Sequence, residues 1–254
     1  MRYNLRNLFR ICLILCVTTV IGCKKDNPGS SSQAGSIARD ILSDSKYSNL
    51  IVELHYTEEF AANPNSLNNL KNFINSTCNK PGGVSYEEKV IAPFGKEQLT
   101  IADIRAYEKA NRVKNPSGNT MVIFMLLTNT GYSEDSENSK VLGVAYGATS
   151  MCIFEKTIYE NSNGSIINPL PSREKLETTV FNHEFGHLIG LVNNGTSMQT
   201  NHQDREHGAH CDETSCLMFW QVETSANLQD LVDGGVPTLD SQCRQDIASN
   251  GGKP

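Results

Sequence analysis

His183-Glu184-Phe185-Gly186-His187 governs how the rest of this chain is read. Two histidines four residues apart share one face of a helix, one turn from each other. Their imidazoles can bind the same metal ion, and nitrogen donors in tetrahedral array suit Zn²⁺. The glutamate between them sits beside such a metal without having to ligate it, placed to take a proton from a water. The pattern is H-E-x-x-H, the arrangement zinc peptidases use.

The flanking residues predict a helix under the motif. Pro169-Leu170-Pro171-Ser172 reads as a loop ending in an N-cap serine. From Arg173 onward Leu176, Val180, Phe181, Phe185, Leu188 and Ile189 recur at three- and four-residue spacing, a stripe that buries one face and presents the histidines at its edge. Gly190 follows as a stop, because glycine takes the left-handed conformation at low cost.

A catalytic zinc usually has three protein ligands and one open position. Residues 183 to 190, H-E-F-G-H-L-I-G, resemble the metzincin signature H-E-x-x-H-x-x-G-x-x-H, in which a third histidine follows the glycine by three residues. Here Asn193 holds that place, and it is a poor zinc ligand. Further on, His210-Cys211-Asp212-Glu213-Thr214-Ser215-Cys216-Leu217-Met218 resembles the archaemetzincin pattern, where the third zinc histidine precedes a cysteine and C-x4-C-x-M follows. The resemblance implies His183, His187 and His210 as zinc ligands, with an insertion of about seventeen residues before the third. It also implies a Met-turn with Met218 packed beneath the metal. His202 and His207 compete for the third position, and Glu206 would serve in a thermolysin-like site, although Gly190 and the Cys-Cys-Met trail argue against it. Two features of the family are missing: a tyrosine two residues after Met218, where Trp220 stands, and the later C-x-x-C, so a second, structural zinc site is not expected.

The body of the chain fits the same resemblance. Strands are predicted at Leu50 to Tyr56, Val84 to Ala92, Met121 to Leu127, Val141 to Tyr146 and Met151 to Ile158, and helices at Pro64 to Cys78 and Thr100 to Val113. Met121 to Leu127 is continuously apolar, as a buried central strand would be. Asn129 to Lys140 and Asn193 to Ala209 read as polar loops, Gln221 to Ile247 as carrying a further helix, and Asn250 to Pro254 as a frayed tail. The expected fold is α+β, close to α/β: a metzincin-type mixed, mainly parallel sheet with an antiparallel edge strand, flanked by helices, with the active-site helix and a small C-terminal subdomain. In that family the edge strand binds substrate by adding the peptide as an extra strand. Leu142 to Tyr146 is the candidate by position.

The first residues read as a processing signal. Arg2, Arg6 and Arg10 precede an apolar run, Ile11 to Ile21, too short for an ordinary transmembrane helix. Val20-Ile21-Gly22-Cys23 resembles the lipobox of bacterial lipoproteins, which implies lipidation of Cys23. The domain reading is therefore a signal peptide over 1–22, a lipid-anchored flexible tether over 23–36, and a metallopeptidase domain over 37–250, with its N-terminal subdomain ending near 190. The localisation expected is that of an exported bacterial lipoprotein of the outer membrane, facing the periplasm or the surface.

Lys and Arg number 22 against 28 Asp and Glu, and three of the basic residues lie in the leader. No basic patch suggests nucleic acid. Five cysteines remain once Cys12, Cys16 and Cys23 are set aside. In an oxidising compartment Cys211 and Cys216 are the best disulfide candidates, and the pairing of Cys78, Cys152 and Cys243 stays open. The function implied is a zinc-dependent endopeptidase with Glu184 as general base, acting as a monomer on peptide or protein substrates. A silent zinc-binding lipoprotein and an amidase acting on cell-wall peptides are the alternatives. No cysteine or aspartate switch precedes the domain, so latency would need another device. Replacing Cys23 with Ser is expected to release the protein from membranes on fractionation; unchanged membrane association would count against lipidation.

Overall fold

A computed structural model describes residues 32–254 apart from 166, 226 and 227. The leader and Cys23 lie outside the described residues. Helix α1 spans Ala38–Leu42, followed by strand β1 at Asn49–Thr57, helix α2 at Pro64–Thr77 and strand β2 at Gly83–Ile91. A two-residue strand β3 (Gln98–Leu99) leads into helix α3 (Ile101–Asn111), then strand β4 (Thr120–Leu127) and the short β5 (Gly131–Tyr132). Strands β6 (Gly143–Gly147) and β7 (Ser150–Ile153) form a hairpin, followed by helices α4 (Glu155–Glu160) and α5 (Arg173–Leu188). Short strands β8 (Gln203–Asp204) and β9 (His210–Cys211), a 3₁₀ turn at Trp220–Glu223, and helices α6 (Gln229–Asp233) and α7 (Ser241–Ser249) complete the chain.

The main sheet has the order β2-β1-β4-β7-β6. Its first four strands are parallel and β6 is antiparallel to β7 at the edge. This is the mixed, mainly parallel sheet that the element order predicts. Strand β4 is apolar and buried from Met121 to Leu127 because both of its faces are covered. Met121, Ile123, Met125 and Leu127 join Leu50, Val52 and Leu54 of β1 in the larger core, under α2 and α5. Phe124 and Leu126 point to the other side, where Ile104 of α3 and Phe154 close a smaller core.

The helix starts are set by local chemistry. Asn63 accepts the Asn65 amide with Pro64 in the first turn, Thr100 and Asp103 form a reciprocal capping box, and Ser172 accepts the Lys175 amide. Two buried carboxylates on the α3 side of the sheet, Glu53 and Glu108, are held by hydrogen bonds. Glu53 accepts the amides of Val113 and Lys114 at 2.7 and 2.8 Å and the His55 Nε2 proton at 3.1 Å, while His55 Nδ1 accepts from Tyr107 at 3.0 Å. Arg112 bonds Glu108 at 2.7 Å, with both side chains almost fully buried, and also reaches Thr149 and the Val122 carbonyl.

Four expectations change. Met151 to Ile158 is not one strand: the strand stops at Ile153, and from Glu155 the chain turns into α4. The helix carrying the motif does not bury a single stripe, since every residue from Leu176 to Leu188 is buried. It lies between the sheet, α2, α4 and the Trp220–Glu223 turn, so no face reaches solvent. Residues 250–254 do not fray: Lys253 donates its amide to Thr77 and its Nζ to Asn75, and Asn79 donates to Gly251. Finally, the stretch read as tether packs from Ala34 onward. Gly35 has a φ of +80°, and a Cβ there would fall 1.6 Å from the Asn194 carbonyl oxygen.

Arg112→Met should leave Glu108 buried without its cation and lower unfolding free energy in urea by about 3 kcal/mol. A loss under about 1 kcal/mol would mean that the pair carries little of the α3 attachment.

Candidate metal centre

Helix α5 places His183, Glu184 and His187 on the side facing the chain after Gly190. Gly190 has a φ of +74° and ends the helix as its position predicts. Val192 and Asn193 also have positive φ, 53° and 60°, so the chain turns sharply away at the point where the shorter spacing would deliver a ligand. The residues up to 209 form a loop closed by the antiparallel pair β8 and β9, and this pair brings His210 back to the helix.

The three imidazoles meet at their Nε2 atoms. His183 Nε2 and His187 Nε2 are 3.1 Å apart, and the His210 ring centroid lies 5.3 and 5.0 Å from those of His183 and His187. Two ring orientations are fixed from behind. His183 Nδ1 donates to the Leu217 carbonyl at 2.7 Å, and His210 Nδ1 donates to the His207 carbonyl at 2.6 Å. A neutral imidazole that donates from Nδ1 carries its lone pair on Nε2, so both rings aim a lone pair at the centre. His210 Nε2 is buried with no hydrogen-bond partner. A buried polar atom in that state needs an explanation, and a cation at the centre supplies one. The donor set, nitrogen with carboxylate, fits zinc.

The rivals for the third position lie elsewhere. His207 stacks on Trp220 with centroids 4.1 Å apart, bonds Asp204 at 2.6 Å and supports His210 through its carbonyl. His202 Nε2 bonds Asp246 at 2.8 Å in a separate buried cluster. The Glu206 amide donates to Asp204 on the exposed loop.

Both oxygens of Glu184 are buried without a side-chain partner next to this centre. Burial, then the charge of Glu223, push its carboxyl well above the usual range. Burial holds His187 down at about 4. Met218 lies under the helix: a Cβ on Gly186 would come 2.3 Å from its sulfur. The glycine within the motif is therefore required by packing. Gly143 of β6 does the same for Glu184, since a Cβ there would fall 2.7 Å from Oε1.

Glu223 was not anticipated from the sequence. Its Oε2 lies 3.7, 3.8 and 3.5 Å from the Nε2 atoms of His183, His187 and His210. Burial alone would raise its carboxyl, but the three imidazoles outweigh that and hold it well below the usual carboxylate range. The one available signal was an acidic residue shortly after Met218, near where the expected tyrosine is missing.

The expected Cys211–Cys216 disulfide is absent: all five described cysteines are free thiols. Cys211 turns toward Asp240, at 3.3 Å, and toward His202, at 3.3 Å, while Cys216 lies 3.8 Å from Cys243 of α7. The local loop spacing gave no hint of this third sulfur. Four donors, from His202, Cys211, Asp240 and Cys243, fall within 4.8 Å of one another, so a second candidate metal group exists where none was expected.

No protein-family model and no curated protein matches this sequence. Among solved structures, archaemetzincin from Methanopyrus kandleri is similar in fold, with a TM-score of 0.51 and 14% identity over 80% of this chain and 96% of that one. Metalloproteinase-II from Bacteroides fragilis aligns at a TM-score of 0.44 and 12% identity, covering 89% of this chain and 58% of that one. The chain has an archaemetzincin-like fold, a mainly parallel mixed sheet with an antiparallel edge strand flanked by helices.

Thiol titration of residues 32–254, unfolded without reductant, is expected to find Cys78, Cys152, Cys211, Cys216 and Cys243 all reactive. Loss of the Cys211 and Cys216 signals would restore the bridge.

Proposed function

We propose that the chain is a zinc-dependent endopeptidase in which His183, His187 and His210 hold the metal and Glu184 is the general base. The observation that carries this reading is the convergence of three buried imidazole Nε2 atoms beside an unpartnered carboxylate. Zinc held there would supply a Lewis acid that lowers the pKa of a water and polarises the scissile carbonyl.

The protein's own groups would do the rest. Glu184 takes the proton of the attacking water on a carboxylate oxygen and passes it to the leaving amide nitrogen. Its burial raises its basicity, which suits a base that must hold the proton briefly. The Leu217 and His207 carbonyls keep the ligand rings in the tautomer a cation needs. Met218 fills the space beneath Gly186 and fixes the floor of the site. Strand β6, antiparallel at the edge of the sheet, offers backbone groups for an extended peptide. The signal-like leader and Cys23 extend the reading to an exported, lipid-anchored bacterial protein that meets peptide or protein substrates outside the cytoplasm.

Three proteins would test it: the wild type, Glu184→Gln and His210→Ala, each measured for zinc content and for cleavage of a diverse peptide library. Glu184→Gln should keep one zinc at this centre and lose cleavage by about 10²-fold or more. His210→Ala should lose that zinc. Wild-type cleavage by Glu184→Gln, or full zinc occupancy in His210→Ala, would overturn the assignment.

A further inference from the structure

The segment Glu223 to Ser225 touches both halves of the site at once. On one side is the Glu223 carboxylate. In a tetrahedral zinc site with bonds of 2.0–2.1 Å the donor atoms stand about 3.3 Å apart. His183 and His187 approach that at 3.1 Å, and Glu223 Oε2 sits 3.5 to 3.8 Å from all three nitrogens. The near-equal distances set the oxygen among the three nitrogens as a fourth donor, all four atoms lying within 4.8 Å of one another. Among the described residues the Glu223 side chain has no other ion pair.

On the other side is the sheet edge. Leu142 donates its amide to the Glu223 carbonyl at 2.8 Å, and Ser225 donates its amide to the Lys140 carbonyl at 2.8 Å. Lys140 returns its amide to Ser225 Oγ at 2.9 Å, and Val141 and Thr224 pair as an antiparallel bridge. These bonds occupy the outward backbone groups just before β6. An extended peptide adding to that edge would need the same groups.

We propose that Glu223 is a fourth, displaceable protein ligand of the metal, and that residues 223–225 close the cleft by standing in for an extended peptide. The inference rests on the zinc-peptidase reading. Four protein donors make a closed metal site, whereas catalysis needs one position open. The resting chain therefore has to release Glu223 and unpair residues 140–142 before a substrate engages. A peptide that pairs with Lys140 to Leu142 competes for the same hydrogen bonds and brings its own carbonyl to the vacated vertex. The strap follows the site in the chain, so it restrains the site without a cleavable segment before the domain. Its hold is local, a few hydrogen bonds and one ligand, and an extended chain can replace it bond for bond.

The test uses full-length protein loaded with Co²⁺, whose visible spectrum reports coordination, and acetohydroxamate as a small metal-binding probe. Wild type, Glu223→Ala and Ser225→Pro are compared, with His210→Ala as the control for the site. Ser225→Pro removes the amide and hydroxyl that bond Lys140 but leaves the Glu223 side chain in place. Both variants should bind acetohydroxamate about tenfold or more tightly than wild type, since apparent affinity falls with the fraction of open sites. Before the probe is added, Glu223→Ala should also show the spectrum of a site that has exchanged a carboxylate for water. Equal probe affinity in wild type and both variants would overturn the strap while leaving the zinc reading intact. Cobalt uptake in wild type no greater than in His210→Ala would instead sink the zinc reading, and this inference with it.

Discussion

The hydrogen bond from His183 Nδ1 to the Leu217 carbonyl joins two segments that are 34 residues apart in sequence. Around it the two segments are locked by contact. The Met218 sulfur occupies the space a side chain at Gly186 would need, and the Met218 carbonyl accepts the Cys211 amide at 2.8 Å. That second bond holds β9, and with it His210, at the correct height over the helix. The same few interactions thus set the tautomer of one candidate ligand, the floor of the site and the position of another. Because α5 is buried on every side, none of these groups can relax toward water.

The sequence showed the parts of this arrangement that are local. An i, i+4 histidine pair on a capped helix is a matter of spacing, and so is the run of β4, whose seven buried apolar residues left no doubt that it was central. The sheet's parallel character followed from strands alternating with helices. Contacts made by long returns were not legible. Glu223 is one acidic residue in Phe219-Trp220-Gln221-Val222-Glu223, with no periodicity to mark it. The cysteine loop misled for a related reason: Cys211 and Cys216 are close in sequence, yet α7 delivers a third sulfur, that of Cys243, to 3.8 Å from Cys216. The C-terminal tail looked free by composition, but the Lys253 amide bonds the Thr77 carbonyl and the Asn79 side-chain amide bonds the Gly251 carbonyl, contacts that composition does not encode.

The insertion before His210 has an architectural effect of its own. His202, midway along it, is fully buried and donates Nε2–H to Asp246 of α7. Its other nitrogen then faces Cys211. Asp246 also accepts the Gln199 amide at 2.7 Å, so one buried carboxylate fastens the loop to the last helix. The residues that lengthen the path to the third histidine are therefore tied into the C-terminal part of the fold. That anchoring is why a loop of this length can still hold His210 in register with α5.

The charges around the centre explain why these groups belong together. Two carboxylates, the buried Glu184 and the partly exposed Glu223, lie beside three buried imidazoles. Without a cation the site is frustrated. Glu184 is driven toward its neutral form by burial and by Glu223, while Glu223 keeps its charge only by drawing on the histidines. The same histidines cannot all serve it: burial holds His187 down, whereas His210 is raised by Glu223 against its own burial. A divalent cation held between the Nε2 atoms would answer each demand at once. It would give the imidazole lone pairs a partner, balance both carboxylates and favour the anionic form of Glu184. Groups that conflict without a metal would then support one another.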